Sequence, residues 1–434
     1  ALLFSLFGYF GFFILVSAKI SWSYPLLYIA CELYPTVINV LFWALVGSLF
    51  DSQTAKRSFG IIGAGGMAGA TVSGILIRQW ASHIHSQWWI LFGLVSILLC
   101  FFILSFWIER TVTRQLSKPI TPLSGSVRRG LEYLKKDSYP KQIALLVVLL
   151  SLFGAVIDYL FSEAITGRFE RNSQKLTEVF GELNAYVGIF SIVFQIFLTP
   201  QILRRYGVFF FLTMIPIACS FMAGITFISS GFFWFFLLKF FEMCGAYSIN
   251  QSGIQLLFNP IPSEARAASR AFIDGAIKKS GAAFGGVFIL FITYFFPILL
   301  SPALIVILTA LILYNIFRLQ SSYAQALTAK LSRTRYQTKV PTIDAFDKAT
   351  QATLIQALYD SESVKVMNSL MVYKKTNAFD IVPHLSHLLS HDSEKVRIEA
   401  VKIVKRQRDP KFLEQILKLL SNETRRVKAE AIRV

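Results

Sequence analysis

The chain has 434 residues, of which 54% are hydrophobic and only 16% are charged. Soluble domains carry about 25% charged residues, so this composition excludes an ordinary soluble enzyme and a disordered chain. The formal net charge is +18, and its meaning depends on where the Lys and Arg residues lie along the chain.

Ten apolar segments follow one another over the first 317 residues, and most approach the length of about 20 residues that crosses a bilayer as a helix. They lie at about 1–18, 24–49, 59–77, 87–108, 142–162, 183–200, 207–229, 232–257, 271–296 and 299–317. Only helices satisfy every backbone group in lipid at these lengths. The sequence therefore predicts an all-α, polytopic membrane bundle.

Basic residues are concentrated in alternate loops between these segments. Lys56 and Arg57 follow the second segment, a long basic loop follows the fourth, and Arg204 and Arg205 follow the sixth. Because Lys and Arg are enriched in cytoplasmic loops, we expect the even-numbered junctions and the C-terminal tail in the cytoplasm. The basic charge is thus mainly a topology signal, and no nucleic-acid partner is expected.

The second and eighth segments repeat one pattern in the same order. Each carries a mid-segment glutamate, Glu32 or Glu242, followed by charged residues and then a run of glycines. Parallel halves of six helices are the build of the major facilitator superfamily. Since only four segments precede the long basic loop, we expect ten of twelve helices here, with the first two absent.

These signals divide the chain into five parts. We expect an N-terminal membrane half (helices 3–6) at 1–108, a cytoplasmic inter-half loop at 109–141, a C-terminal membrane half (helices 7–12) at 142–317, a linker at 318–344 and a helical repeat domain at 345–434.

Glycines cluster in the third and ninth apolar segments, where small residues let membrane helices approach closely. They are Gly63, Gly65, Gly66, Gly69, Gly281 and Gly285. Residues 63–68 also match the loose dinucleotide pattern Gly-x-Gly-x-x-Ala. No strand is predicted before them, so we interpret these glycines as packing residues.

Ionisable and amide side chains inside apolar segments are the candidate transport residues, because charge at the bilayer centre is costly. Glu32 and Glu242 are expected to face each other across a central cavity, and Lys239 and Glu242, three residues apart, can pair on one helix face. The other candidates are Glu163, Asn39 and Asn250. A structural ion pair with protonated buried carboxyls remains the alternative.

The tail contains an internal repeat with an offset of 31 residues. Leu388-Leu389-Ser390 recurs at 419–421, and Val396 to Ala400 recurs at 427–431. Paired amphipathic helices at such a period form an α-solenoid of HEAT type. We expect Leu389, Val396, Ala400, Leu420, Val427 and Ala431 to point inward.

Metal and cofactor sites are not predicted. The four cysteines are scattered singly in apolar segments and fit no zinc or disulfide spacing. His384, His387 and His391 share one region of the tail, and a solvated helix face explains their spacing better than a metal site.

Several short stretches of the membrane part form a recognisable set: Ala30-Cys31-Glu32-Leu33, Leu41-Phe42-Trp43, Ala55-Lys56-Arg57, Ile62-Gly63-Ala64-Gly65, Asn259-Pro260-Ile261-Pro262, Ala271-Phe272-Ile273-Asp274-Gly275 and Lys279-Ser280-Gly281. With them the sequence resembles the bacterial and plastidial ATP/ADP translocases, including bacterial relatives in which the membrane domain is fused to HEAT repeats. The resemblance implies a major-facilitator fold, nucleotide exchange in a bacterial inner membrane, and roles for Glu32, Glu163 and Lys279.

The leading hypothesis is secondary-active transport by alternating access, with a nucleotide or another phosphorylated metabolite as substrate. No catalytic constellation points to an enzyme. The alternative is a non-transporting membrane anchor or sensor whose HEAT-like tail binds a protein partner. Uptake in proteoliposomes distinguishes the two. The expected partners are membrane lipid and a small-molecule substrate, and the HEAT-like tail is a candidate surface for a protein partner.

Overall fold

A computed structural model describes residues 2–49, 52–85, 88–111, 131–132, 134, 137–170, 172–229, 231–295, 301–333, 348–377, 379–407 and 409–432. Within these ranges the chain is helical apart from turns and short connections, and no strand occurs. The all-α prediction is confirmed for this part of the chain.

Within the described ranges, ten long helices make up the first part of the chain, and each predicted apolar segment lies on one of them. They are α1 Leu2–Ser17, α2 Ser23–Leu49, α3 Ser52–Trp80, α4 Trp88–Thr111, α5 Ser138–Arg168, α6 Ser173–Tyr206, α7 Val208–Ile228, α8 Phe232–Leu257, α9 (Ser263–Phe272, Ile273–Ile277 and Lys278–Phe295) and α10 Ser301–Arg333. Among the described residues, α5 to α10 are long and apolar enough to cross a membrane. That α1 to α4 also cross it stays a prediction.

Local sequence signals set several helix ends. The Asp137 carboxylate accepts a hydrogen bond from the Tyr139 N–H at the start of α5, and the Asn172 side chain accepts from the N–H groups of Gln174 and Lys175 at the start of α6. Such caps satisfy N–H groups that have no partner inside the helix. Gly207 separates α6 from α7 with a φ of 88°, a conformation that favours glycine.

Helix α5 is the centre of the C-terminal bundle. It packs against α8, α9 and α10, and α7 packs against α8 and α10. Phe153, Ile157, Phe211 and Ile312 are fully or almost fully buried in this core. A Cβ at Gly281 would approach Val148 and Ser151 of α5, and one at Gly285 would approach Ala155, so α9 comes close to α5 at these two glycines.

Helix α3 joins the N-terminal helices to the C-terminal bundle by packing along α6. A Cβ on Gly74 would stand 2.6 Å from the backbone nitrogen of Ala185, and one on Gly181 would stand 2.7 Å from that of Arg78. These close approaches require glycine. Around Gly65, Gly66 and Gly69, by contrast, a Cβ would meet nothing within 4 Å.

The tail consists of helix pairs. The helices are α11 Lys348–Ala357, α12 Ser363–Thr376, α13 Leu385–Leu389, α14 Glu394–Gln407, α15 Leu413–Asn422 and α16 Arg425–Ala431. Leu389, Val396, Ala400, Val427 and Ala431 are buried, and Leu420 is partly buried against the same core. Equivalent positions at the 31-residue offset therefore share one hydrophobic core; the HEAT-type assignment stays a prediction.

The first helix pair of the tail docks on the membrane bundle. Helix α10 continues to Arg333, so the described part of the expected 318–344 linker is helical. The Tyr323 hydroxyl lies 2.5 Å from that of Thr350, and the Asn368 amide donates to the Leu331 carbonyl at 2.6 Å. Both contacts are buried, so α11 and α12 are anchored to the end of α10.

Candidate functional site

A cluster of three charged side chains lies between α5 and α8. The ammonium group of Lys239 is 2.5 Å from Oδ1 of Asp158 and 2.6 Å from Oε2 of Glu242. The side chain of Lys239 is only 9% exposed, whereas that of Glu242 is 14% and that of Asp158 is 61% exposed. We call Asp158, Lys239 and Glu242 the charged triad.

The triad carries a formal charge of −1, and its lysine is buried in a helix bundle whose core is mainly apolar. Removing a charge from water costs several kcal/mol unless it is paired and hydrogen-bonded, and Lys239 has two carboxylate partners. The Lys239–Glu242 pair was among the sequence expectations. Asp158, in contrast, was not among the candidate transport residues, because its pairing depends on how α5 packs against α8.

A glycine makes room for the Glu242 carboxylate. A Cβ on Gly154, one turn before Asp158 on α5, would stand 3.1 Å from Oε1 of Glu242. Any larger residue at this position would press on the carboxylate that holds Lys239. Gly154 was not singled out in the sequence, because nothing local distinguishes it from other glycines in apolar helices.

Polar side chains continue along the exposed part of α5. Asp158, Ser162 and Glu163 are exposed, and Tyr159 is half-buried beside them. An exposed carboxylate on a membrane helix is costly against lipid and faces water or a partner instead. Asp158 and Glu163 are therefore candidates to face water or a partner rather than lipid.

The other sequence candidates lie apart from the triad or outside the described part of the chain. Lys279 is half-buried on α9, two residues after the π-helical stretch Ile273–Ile277. The side chains of Glu32, Asn39 and Asn250 lie outside the described residues, and so does the surrounding of Gly63. The expected apposition of Glu32 and Glu242 therefore stays a prediction.

The contact between α3 and α6 also carries charge, which sequence reasoning missed. Arg78 on α3 is 3.5 Å from Glu182 on α6 and lies over the ring of Tyr186, 5.7 Å from its centroid. Arg78 and Glu182 lie beside Gly181, where α3 and α6 approach each other closely. This contact is one described junction between the N-terminal helices and the C-terminal bundle.

Within the described ranges, no group of three or more His, Cys, Asp or Glu side chains is placed to hold a metal ion. Tyr359 contacts two of the tail histidines instead. Its hydroxyl is 2.8 Å from Nδ1 of His384, and its ring stacks on that of His387.

Comparison with known proteins gives one family match and several relatives that carry the same kind of name. The model of a family described as TLC ATP/ADP transporter matches residues 5–246, more than half of the chain. "ADP,ATP carrier protein 3" of Rickettsia felis is 24% identical over 376 residues, covering 73% of each chain. "ADP,ATP carrier protein 2, chloroplastic" of Arabidopsis thaliana is 21% identical over 304 residues, covering 60% of this chain and 48% of that protein. No solved structure matches the chain.

Proposed function

The chain belongs to the TLC ATP/ADP transporter family, a family of membrane nucleotide transporters rather than enzymes, and we propose that it exchanges adenine nucleotides across a membrane by alternating access. The names of its relatives support this substrate class. The observation that carries the proposal is the buried Lys239 ammonium, held between two carboxylates at the edge of a polar face inside an apolar bundle.

Lys239 is the proposed contact for a nucleotide phosphate. A nucleotide carries several negative charges and needs cations placed to meet them, because charge-assisted hydrogen bonds are about twice as strong as neutral ones. Asp158 is mostly exposed while Glu242 is mostly buried. An arriving phosphate therefore replaces Asp158 more readily than Glu242, which keeps Lys239 in position.

The remaining candidates complete the proposed site. Glu32 and Asn39 on α2, and Asn250 on α8, would line the same cavity from both halves, with Glu163 on its α5 wall and Lys279 as a further cation. In this arrangement the substrate lies between two halves that rock against each other, as in major-facilitator transporters.

The proposed architecture comprises helices 3–12 of such a fold with a cytoplasmic HEAT-type tail, in a bacterial inner membrane. The basic loops support the orientation, and the 31-residue repeat with its shared core supports the solenoid. The outer surface of the tail remains available to a protein partner, which stays a prediction.

Exchange in proteoliposomes tests the function. Liposomes containing the purified full chain and internal ADP are expected to take up labelled ATP, whereas liposomes with the chain but no internal nucleotide take up far less. Equal uptake of an uncharged nucleoside would contradict phosphate recognition. The absence of any nucleotide or phosphorylated-metabolite uptake by a folded chain would overturn the proposal and favour the anchor hypothesis.

A further inference from the structure

The second helices of the first two tail pairs end in matching pairs of basic residues. Lys374 and Lys375 lie in the last turn of α12, and Lys405 and Arg406 lie in the last turn of α14. The two pairs are related by the 31-residue offset of the repeat, so they occupy equivalent positions. All four side chains are exposed, and Lys374 also forms an ion pair with Glu399 of α14. We call Lys374, Lys375, Lys405 and Arg406 the basic edge.

Helix α11 begins where α6 and α7 meet. A Cβ on Gly207, the residue between α6 and α7, would stand 3.4 Å from the backbone nitrogen of Ala349. The hydroxyl of Thr350, the next residue, contacts that of Tyr323, and the Tyr323 ring packs edge-on against Phe209 at the start of α7. The start of α11 therefore lies level with the junction of α6 and α7.

Helix α12 runs back toward that junction. It follows α11 after the short connection at 358–362, and two helices joined in this way pack antiparallel. The Ser369 hydroxyl donates to the Leu354 carbonyl of α11 at 2.7 Å, while Asn368 contacts the carbonyl of Leu331 near the end of α10. The last turn of α12, which follows these contacts, therefore returns to the level at which α11 begins.

Helix α14 ends at the same side of the tail. The amide of Gln407, its last residue, donates to the hydroxyl of Tyr373 near the end of α12 at 3.2 Å. Asp380 and Asp409 follow the two helices on this side, and each accepts a backbone N–H at the start of the next helical turn. Lys411 adds an exposed cation. Among the described residues, cations therefore outnumber carboxylates along this side of the tail.

The junction of α6 and α7 lies at a membrane boundary. Helix α7 has 21 residues, which span about 31 Å at 1.5 Å per residue and match the hydrocarbon core of about 30 Å. Gly207, directly before α7, therefore lies where the headgroups begin. On α10, the Arg318 guanidinium lies over the ring of Tyr314, 5.9 Å from its centroid, and tyrosine is typical of this interface. The basic edge, level with Gly207, is thus at headgroup depth.

The helices to which the tail is attached have lipid-facing surfaces. Phe221 on α7 and Phe317 on α10 are 66% and 76% exposed, and large apolar side chains on the outside of a membrane helix face lipid. Because the tail is attached to α10 and to the start of α7, it lies beside lipid as well as beside the bundle. Anionic headgroups are therefore within reach of its basic residues.

We propose that the basic edge binds the anionic phospholipid headgroups of the membrane that the bundle crosses, so that the tail lies along the membrane surface. Groups of four or more Lys and Arg next to a membrane helix attract anionic lipids, and the attraction acts within about 10 Å in physiological salt. Basic residues in a last helical turn also complement the helix dipole, but that local effect does not depend on lipid charge. The inference does not depend on nucleotide exchange.

The test measures the depth of two fluorophores on the full chain in a cysteine-free background. One is attached at Thr376→Cys, at the exposed end of α12, and the other at Ser390→Cys, exposed at the opposite side of the tail. Liposomes contain a lipid with a quencher on its headgroup, in phosphatidylcholine with or without phosphatidylglycerol. We expect phosphatidylglycerol to increase quenching of the first fluorophore several-fold and to leave the second unchanged.

Charge neutralisation tests whether the basic edge is responsible. The double variant Lys405→Gln with Arg406→Gln is expected to reduce quenching at position 376 to the level seen in phosphatidylcholine alone. The matched control is Arg425→Gln with Arg426→Gln, which removes the same charge from exposed positions at the start of α16. The start of α16 lies beside the start of α14, where Thr424 donates to Glu394, and so away from the basic edge. This control should retain the quenching.

Two results would overturn the inference. One is equal quenching of the Thr376→Cys fluorophore with and without phosphatidylglycerol, which would leave the basic edge to an acidic partner instead. The other is an equal loss of quenching in the two double variants, which would indicate a response to total charge. High salt provides a measurement without any charge variant, because it should abolish the effect of phosphatidylglycerol; quenching that persists in high salt would also contradict an electrostatic contact. Nucleotide exchange is measured separately, so its failure bears only on the proposed function.

Discussion

At the scale of single residues, Lys239 has an unusual position for a lysine. Its long side chain normally keeps the ammonium in water, yet here the charged end is buried between α5 and α8. Removing one partner of a buried ion pair is strongly destabilising, while a well-packed apolar replacement of the whole pair is often neutral. The triad is therefore weak evidence for stability and better evidence for a site at which charge is exchanged.

Gly154 offers a test of the triad that leaves all three charges in place. Gly154→Ala puts a methyl group 3.1 Å from Oε1 of Glu242, so the carboxylate must shift by a few tenths of an ångström. We expect ATP/ADP exchange to be several-fold slower, which corresponds to a barrier about 1 kcal/mol higher, because transport depends on the placement of Lys239. Gly224→Ala on α7, which meets nothing within 4 Å, is the control and should exchange normally. Equal exchange by the two variants would exclude a role for the Glu242 position.

The sequence was informative about these residues to different degrees. The Lys239–Glu242 pair follows from spacing on one helix, which is a local property. Asp158 and Gly154 join them only because α5 packs against α8, and no local pattern indicates which two helices of a bundle will meet.

At the scale of elements, the helices were predictable and their contacts were not. Hydropathy over about 20 residues is enough to locate an apolar helix, and all ten segments lie on helices. The glycine run at 63–69 suggested close packing, but Gly65, Gly66 and Gly69 have open space around them. The close contact is made by Gly74 and Gly181 instead, since it depends on which face of α3 meets α6.

The contact between α3 and α6 can be tested with two alanine substitutions in the same helix. Gly74→Ala places a Cβ 2.6 Å from the backbone nitrogen of Ala185. Because a backbone atom cannot shift without moving its helix, we expect the free energy of unfolding to fall by about 1–3 kcal/mol. Gly69→Ala has free space and removes the helix-destabilising effect of glycine, so it should be neutral or stabilising by up to about 1 kcal/mol. Thermal unfolding in detergent measures both. A stable Gly74→Ala variant would show that α3 and α6 are not in close contact.

Docking of the tail is a second contact between elements that a conservative change can test. Tyr323→Phe removes the hydroxyl that lies 2.5 Å from Oγ1 of Thr350. We expect the free energy of unfolding to fall by about 1 kcal/mol. It should also increase protease access to α11 and α12. Tyr314→Phe, an exposed tyrosine on the same helix, should change neither property. If both variants behave alike, the tail does not depend on this contact.

At the scale of the whole molecule, the chain belongs to a family of membrane transporters and carries a helical tail anchored to its C-terminal bundle. Contacts at Tyr323 and Leu331 tie the first tail pair to α10, so movement of that bundle is expected to move α11 and α12 with it. The family assignment supports transport of nucleotides, and the triad is the proposed contact for a phosphate.

Topology is a prediction at the same scale. In a cysteine-free background, Gly125→Cys in the basic inter-half loop should be labelled by a membrane-impermeant maleimide only from the cytoplasmic side. Ser82→Cys, in the short connection between α3 and α4, should be labelled only from outside. The reasoning is the Lys and Arg excess in alternate loops. Labelling of both sites from one side would contradict the orientation.

The central claim is that Lys239 contacts the nucleotide phosphate, and the most direct measurement is the initial rate of ATP/ADP exchange by Lys239→Gln in proteoliposomes. Loss of a hydrogen bond from a charged group costs about 1.5–3 kcal/mol, so we expect exchange to fall by about tenfold to 100-fold. Lys175→Gln, at an exposed position of α6, should stay within about twofold of the wild type. A folded Lys239→Gln variant that exchanges at the wild-type rate would contradict the account.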